Sequence, residues 1–297
     1  MNKLPKISIV TPSYNQGQFI EDTILSVLGQ NYPNLEYIII DGNSTDNTVE
    51  IIKKYSERLT YWVSEPDSGQ AEAINRGFEK STGDILLWLN SDDMFMPNVL
   101  QFIADCVLQN GDGIYFGNTI HFREEKALTC NGSDVVGDYR NYGIEEIDFI
   151  EQPSSFWTKD VWKEVGKLKE DIHFVFDWEW FVRAKRANIR FFPLGKTLSL
   201  YRIHNTHKTG VGGEKRQKEI LAMYKQYNPP FASLYELLVC EGNLKSSIGF
   251  RFLLAFHIIY CKIKNTSVSH GSKLKFLKPK KYKDYTIQDI DVVCQVF

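Results

Sequence analysis

Along the first 120 residues, short apolar or β-branched runs alternate with stretches whose apolar residues recur at helical spacing. The runs Ile7 to Thr11, Leu35 to Ile40, Thr60 to Val63, Ile85 to Leu89 and Ile114 to Ile120 are bounded by polar turn residues, the pattern of buried strands. Between them, Phe19, Ile20, Ile24, Val27 and Leu28 share one helical face. So do Val49, Ile52 and Tyr55 behind a Ser44 to Asp46 cap, then Ala73, Ile74, Gly77 and Phe78, then Val99, Leu100, Ile103 and Val107 after Pro97. The order βαβαβαβαβ predicts an α/β fold, a mostly parallel central sheet with helices on both faces. In such sheets ligands sit at the carboxyl ends of the strands.

Polar clusters fall at those ends. The first strand runs into TPSYNQG, the second into DGNSTD, the third into SEPDSGQ and the fourth into NSDD, so small, acidic or hydrogen-bonding groups point to one rim. The adjacent Asp92 and Asp93 are the sharpest of these features, because paired carboxylates next to an apolar strand repel each other and lose hydration. Either they cap the helix that follows, or they hold a ligand. Asp41 and Asp67 at the same rim favour a ligand: a divalent cation, Mg²⁺ or Mn²⁺, carrying a diphosphate.

From Asp148 the pattern is less regular. It contains EQPSSFW, a helix from Asp177 in FVFDWEWFVRAKRA, and a strand-like pair at Ile189 to Pro193 and Thr197 to Ile203. The expected division is residues 1–210, with halves 1–122 and 123–210, followed by a helical C-terminal extension, residues 211–297, with a basic tail. In that extension, helices are expected through Tyr224, from Ser233 and from Ser246 to Ile263.

A formal net charge of -2 gives no global pull toward nucleic acid. The five cysteines are scattered and form no CxxC pair, which argues against a zinc site or a disulfide framework and for a reducing cytosol. The N-terminus lacks the apolar core of a signal peptide, and no run reaches the roughly 18 apolar residues of a membrane span, so a cytoplasmic protein is expected.

Four segments, SIVTPSYNQGQFIEDTILSVLGQNYPNLEYIIIDGNSTDNT, DSGQAEAINRGFEKSTGDILLWLNSDD, QPSSFW and FDWEWFVRA, occur in an order and spacing that resembles the inverting family 2 glycosyltransferases, which have the GT-A nucleotide-diphospho-sugar transferase fold. The resemblance covers Lys6 to His204 and implies a nucleotide-sugar half followed by an acceptor half. It implies a nucleoside-binding loop at Thr11, Pro12 and Tyr14, and an acid at Asp41 that accepts a hydrogen bond from the base of a UDP-, dTDP- or GDP-linked donor. Asn75 and Arg76 resemble a polar pair facing the donor, although Arg76 could equally be a surface cation. Asn90, Ser91, Asp92 and Asp93 resemble the D-x-D region with Asn in first place; Asp93 is favoured for the metal and Asp92 for ribose or metal.

Asp177 resembles the catalytic base, with Phe176 where the family carries Glu. By itself Asp177 is as well explained as a helix-start acid, while Trp178, Trp180 and Phe181 would supply the apolar surroundings that raise a base's pKa. His204, in YRIH, resembles a segment near the diphosphate and is a candidate metal ligand, with His207 weaker and Arg202 a candidate for the phosphates. The implied acceptor is a glycan or lipid-linked glycan. Two rivals remain: a non-catalytic sugar-nucleotide or glycan-binding subunit, favoured by Asn90 and Phe176, and a sugar-1-phosphate nucleotidyltransferase, disfavoured because TPSYNQGQF supplies no Lys or Arg.

The apolar stretch IGFRFLLAFHIIYCKIK precedes eight lysines between Lys262 and Lys283 with no acid among them. This pairing suits a segment lying on an anionic membrane and equally suits a buried helix with a solvated tail. On the membrane reading each lysine contributes on the order of 1 kcal/mol, so deletion from Lys262 onward should release the protein from acidic vesicles at moderate salt. Equal co-sedimentation of the full and shortened chains would favour the buried helix.

Overall fold

The computed structural model describes residues 4–123, 126–132, 142–205, 208, 212–236, 239, 289, 292 and 293. His207, the apolar stretch from Ser246 and the lysine-rich segment lie outside the described residues. The chain falls into two compact units, Met1–Gly137 with Phe149–Gly210, and Asp138–Asp148 with Val211–Phe297.

The first unit holds a nine-stranded sheet. Its elements are β1 (Ile7–Ser13), α1 (Ile20–Leu28), β2 (Leu35–Asp41), α2 (Thr48–Lys54), β3 (Tyr61–Ser64), α3 (Gln70–Lys80), β4 (Ile85–Trp88), β5 (Met94–Phe95), α4 (Val99–Asn110), β6 (Ile114–Arg123), β7 (Lys126–Gly132), β8 (Ser155–Thr158), α5 (Lys159–Val165), α6 (Phe176–Arg186) and β9 (Phe191–Arg202). The strands lie in the order β3-β2-β1-β4-β8-β6-β9-β5, with β7 paired to β6. All of the strands and helices expected before residue 120 are present.

The parallel character holds for β3, β2, β1 and β4. Beyond β4 the sheet is mixed, because β8 enters antiparallel between β4 and β6, while β6 and β9 run parallel to each other. The strand-like pair expected at 189–203 is one long strand. Its interruption is a bulge: Phe116 pairs with Pro193 and Asn118 with Thr197, and Gly195 sits at φ 58 between them.

Close packing sets the position of the strand ends. A Cβ on Gly77 of α3 would lie 2.3 Å from Val10 Cγ1, so only glycine lets this helix settle against β1. Next to it, Phe78 meets Trp88 and Trp157 edge-on, and Trp157 continues to Trp180, whose indole N–H donates to Gly166 O at 2.8 Å. This aromatic core fastens α3, β4, β8 and α6 together.

At the opposite, N-terminal end of β2, Glu36 is almost completely buried. Its carboxylate accepts from Ser8 Oγ, from Thr82 N at 2.6 Å and from Thr82 Oγ1 at 2.7 Å. In the second unit, α7 (Gly213–Tyr227) carries Tyr224, which is fully buried and donates to Glu146 O at 2.7 Å. Asn228 heads α8 (Pro229–Tyr235), accepting from Phe231 N and donating to Glu146 Oε1 at 2.9 Å.

Burial alone would raise the pKa of Glu36, but the bonds from Ser8 and Thr82 and the charge of Lys6 outweigh it and hold the carboxyl below its usual value. Its stabilising contribution is therefore complete above about pH 5, above the unfolded value, and is lost as pH falls through the lower folded value. Glu36→Gln should cost about 1–3 kcal/mol at neutral pH, and the gap to wild type should narrow on acidification, as read by urea unfolding at several pH values.

Candidate active site

The loops after β1 and β2 are joined through Ser44. Asn15 takes a left-handed conformation, φ 52, that aims its N–H at Ser44 Oγ, 2.7 Å away, while Thr45 N donates to Asn15 Oδ1 at 2.9 Å. Ser44 in turn donates to Asp41 through Oγ at 2.6 Å and N at 2.9 Å, and Ser64 Oγ at the end of β3 donates at 2.6 Å. Asp41 is fully buried, with three of its roughly four acceptor positions occupied. Asp46 accepts from Thr48 N at 3.0 Å and Gly17 N at 2.9 Å, so it both opens α2 and ties down the β1 loop. Burial pushes its pKa up, but the bond from the Thr48 hydroxyl and these main-chain donors prevail and lower it.

Asp67 rests against Gly42, whose hypothetical Cβ would be 2.7 Å from Asp67 Oδ2, and accepts from Gly69 N at 2.9 Å. Burial first, then the charges of Glu72 and Asp41, push its carboxyl up against the opposing pull of Gly69 N–H and Arg76. Gln70 starts α3, donating to Asn90 Oδ1 at 2.7 Å and accepting from Lys208 Nζ at 2.9 Å. A hydrogen-bonded chain thus runs along the rim from Asn15 to Asp41, and Gln70 links α3 to the turn after β4.

In that turn the two acids diverge. Asp93 is buried, 1% exposed, and accepts from Arg202 N at 3.2 Å through Oδ1 and Asn90 Nδ2 at 3.2 Å through Oδ2. Burial above all, with the neighbouring Asp92 charge, drives its pKa well above the usual carboxylate range. Asp92 instead faces His204, Oδ2 to Nε2 3.0 Å, at a partly open position. The Arg202 guanidinium, with Phe19 and Phe122 rings 5.0 and 4.8 Å away, donates to Asp92 O at 3.2 Å and to Asp22 Oδ2 at 2.8 Å. It braces the turn from behind.

Asp177 stands in the first turn of α6, half-buried, with Oδ1 accepting from Trp178 N at 2.9 Å. Phe176 before it lies 6.0 Å from the Trp88 ring at the end of β4, and Lys208 Nζ lies 5.0 Å from the Phe176 ring. The helix start is thereby fastened beside the Asp92 turn. Trp180 is committed to the aromatic core, so the aromatics flanking Asp177 are chiefly packing groups.

With this arrangement, the family model for glycosyl transferase family 2 matches residues 8–169, more than half of the chain. The chain belongs to glycosyltransferase family 2.

Among its relatives, a Bacillus subtilis protein named, provisionally, as the teichuronic acid biosynthesis glycosyltransferase TuaG is 41% identical over 34% of this chain and 41% of its own length. An uncharacterized glycosyltransferase of Haemophilus influenzae is 37% identical over 39% of this chain and 47% of its own. The matches therefore span less than half of either relative. Among solved structures, S. aureus TarS in complex with UDP-GlcNAc superposes with a TM-score of 0.59 at 15% identity, covering 98% of this chain and 90% of that one. The Pyrobaculum calidifontis mannosyltransferase PcManGT, in complex with GDP-Man and Mn²⁺, gives 0.60 at 15% identity over 99% and 87%. The shared architecture is the GT-A fold.

Several expected site residues of this family 2 domain are placed differently from the sequence reading. Among the described residues no three His, Cys, Asp or Glu side chains converge as a metal cage. The rim acids separate into Asp41 with Asp67 and Asp92 with His204, and Asp93 turns inward because main-chain and amide donors meet it there. Asn75, expected at the donor, is buried: it donates to Leu168 O and Glu170 Oε1, both at 2.9 Å, and accepts from Leu168 N at 3.0 Å. It holds the loop before α6.

Arg76 clips Glu65 at 2.7 Å and Pro66 O at 3.3 Å, steadying the loop that carries Asp67. Ser44 bridges two loops where a helix cap was expected. Ser91 is buried within the β4 turn, Thr11 is buried with Oγ1 3.1 Å from Tyr37 Oη, Pro12 is buried beside it, and Tyr14 is 61% exposed. Sequence reasoning missed Gln70 and Lys208, the first signalled only by its place at a helix start.

Asn75→Ala should therefore act on the loop before α6. Loss of these bonds should cost about 1–3 kcal/mol and speed exchange of the Leu168 amide, measured by hydrogen exchange. An unchanged Leu168 exchange rate would contradict the bracket.

Proposed function

We propose that this chain transfers a sugar from a nucleoside diphosphate donor to a hydroxyl of a glycan or lipid-linked glycan, with inversion at the anomeric carbon. The observation that carries the proposal is the facing pair Asp92 and His204 at the end of β4, on the rim that also holds Asp41 and Asp67. A carboxylate oxygen and an imidazole nitrogen 3.0 Å apart are a donor set that suits Mn²⁺ better than Mg²⁺, which takes oxygen ligands, with remaining positions left for phosphate oxygens and water. When bound, the ion stabilises charge on the departing diphosphate. That PcManGT is seen with GDP-Man and Mn²⁺, and TarS with UDP-GlcNAc, supports a nucleotide-sugar donor.

In this reading the β1 loop and the β2 loop that Asp41 holds through Ser44 receive the nucleoside, and Asp92 and His204 hold the diphosphate end. Asp177 takes the proton of the acceptor hydroxyl as its oxygen bonds to the anomeric carbon. The bond from that carbon to the diphosphate oxygen breaks, and the diphosphate keeps the electron pair. One displacement inverts the configuration and needs one base. Arg202 and Gln70 keep the turn and α3 in register without touching the donor.

The reaction is assigned to the cytoplasm, and the eight lysines between Lys262 and Lys283 support contact with an anionic membrane face as one of the two readings of that segment. Among the described residues no helix is long and apolar enough to cross a membrane. One observation favours the rival reading of a non-catalytic nucleotide-sugar binder: Asp177 stands in the first turn of α6, where an acid is favoured by the positive end of the helix dipole.

One set of variants separates the two. Asp177→Asn should lower transfer from a UDP- or GDP-linked sugar about 10²- to 10⁴-fold with little change in nucleotide affinity by calorimetry. Asp92→Asn and His204→Ala should weaken Mn²⁺-dependent nucleotide binding, and Asp93→Asn should do so much less. Transfer by Asp177→Asn within about threefold of wild type would remove it from the mechanism.

A further inference from the structure

On the far side of the Asp92–Asp93 turn, the family 2 domain carries a polar column that the transfer reaction as described leaves unused. Strand alternation puts Thr119 and His121 of β6 on one face, in register with Ser199 and Tyr201 of β9, while Phe122 and Arg202 point to the other. The segment Glu151–Ser154 meets this first face. At its inner end the hydroxyls of Thr119, Ser154 and Ser199 bond to one another at 2.6 to 2.9 Å and are fully buried. Two residues further along the strands the column opens, with the side chains of His121 and Glu151 18% and 22% exposed.

At that opening His121 Nε2 lies 3.0 Å from Glu151 Oε2, and Asn131 Nδ2 of β7 lies 3.4 Å from His121 Nδ1. The Asn131 amide also lies 3.5 Å from Nε2, and the Glu151 carboxylate only accepts, so a ring proton sits on Nε2 toward Glu151. The Tyr201 ring lies 4.9 Å from the imidazole. A carboxylate, an imidazole, an amide and a phenol ring thus meet at one partly open spot, contributed by the β6–β7 hairpin, by β9 and by the segment before β8. The group needs no such chemistry to hold the sheet, since the ladder pairs β6 with β7, β8 and β9 through the main chain.

Its position is tied to the reacting rim. Gln152, next to Glu151, donates to Trp88 O at 2.7 Å, and Asn90 Nδ2 approaches Gln152 Oε1 at 3.4 Å. Tyr201 precedes Arg202, whose N–H meets Asp93. The negative charge of Glu151 also contributes to the upward push on Asp93. The donor loops occupy the ends of β1 to β4, whereas this group stands on β6, β7 and β9, so it suits the second substrate.

We propose that His121, Glu151, Asn131 and Tyr201 form the subsite that receives a pyranose ring of the acceptor, the polar side chains taking its hydroxyls and Tyr201 its C–H face. The proposal rests on the glycosyl-transfer reading. A carboxylate and an amide give the acceptor and donor edges that adjacent hydroxyls need, and an aromatic ring offers area at low entropy cost. No bond is made or broken by these residues; they position the hydroxyl that reacts.

The test uses the full chain with UDP or GDP and Mn²⁺, and methyl glycosides of glucose, galactose, mannose and N-acetylglucosamine as probes. Nucleotide affinity is read by calorimetry and glycoside binding by saturation-transfer NMR. At least one glycoside should saturate the wild type. Glu151→Gln and Tyr201→Ala should weaken it by roughly 10- to 100-fold, the loss expected for a charged hydrogen bond or a stacking face, with nucleotide affinity within about twofold.

Asn131→Ala, in a half-exposed hairpin, should weaken glycoside binding as well and guards against loss of fold in the other variants. Glycoside binding unchanged in all three, no glycoside bound by the wild type, or a parallel loss of nucleotide affinity would each overturn the subsite. Failure of the wild type to bind nucleotide would instead count against the glycosyl-transfer reading itself.

Discussion

A carboxylate that ends an apolar strand must be met by donors, and the active rim is organised around two such groups. Asp41 ends β2 and is fully enclosed; Asp93 follows β4 and is 1% exposed. An unpaired charge at either place would cost several kcal/mol, so each draws in donors from elsewhere in the chain. Asp41 recruits Ser44 and Ser64, and through Ser44 it also fixes Asn15. Asp93 recruits Asn90 and the Arg202 amide more than a hundred residues away. The loops take their shape from satisfying these acids.

The same constraint divides labour between adjacent residues. Because the donors that reach Asp93 come from inside, its carboxyl is turned from the rim, where burial and the Asp92 charge push it toward neutrality, and Asp92 is left to face His204 in the open. Arg202 supports both: its amide meets Asp93, and its guanidinium, held between two aromatic rings and Asp22, braces the Asp92 carbonyl. A cation so fully engaged acts on the site through the main chain it holds. Asn75 likewise spends its amide on Leu168 and Glu170, so the loop leading to Asp177 is tied to α3.

These ties make the β1–β4 half and the β6–β9 half of the first unit mutually dependent. Gln70 stands between Asn90 and Lys208, Phe176 rests near Trp88, and Gln152 joins the end of β4 to the segment that bears Glu151. A disturbance on either side of the β4 turn reaches that turn through Asn90, which meets Gln70, Gln152 and Asp93.

Residue order alone determined the elements up to α4, because apolar runs and helical periodicity are local consequences of burying one face. It also determined that four polar strand ends share a rim, since successive parallel strands point the same way. The motifs from Ser8 to Trp157 carried the family, and the matched residues 8–169 bear that out, while FDWEWFVRA lies beyond them. Which acid of a pair faces outward could not be read there: Asp92 and Asp93 are chemically identical neighbours, and only the donors supplied by β9 distinguish them. The entry of β8 antiparallel, the bulge at Gly195 and the meeting of His121 with Glu151 were likewise decided in three dimensions. Each depends on a pairing between distant segments, and the free energy of such a pairing lies in the contact and not in the local spacing of either partner.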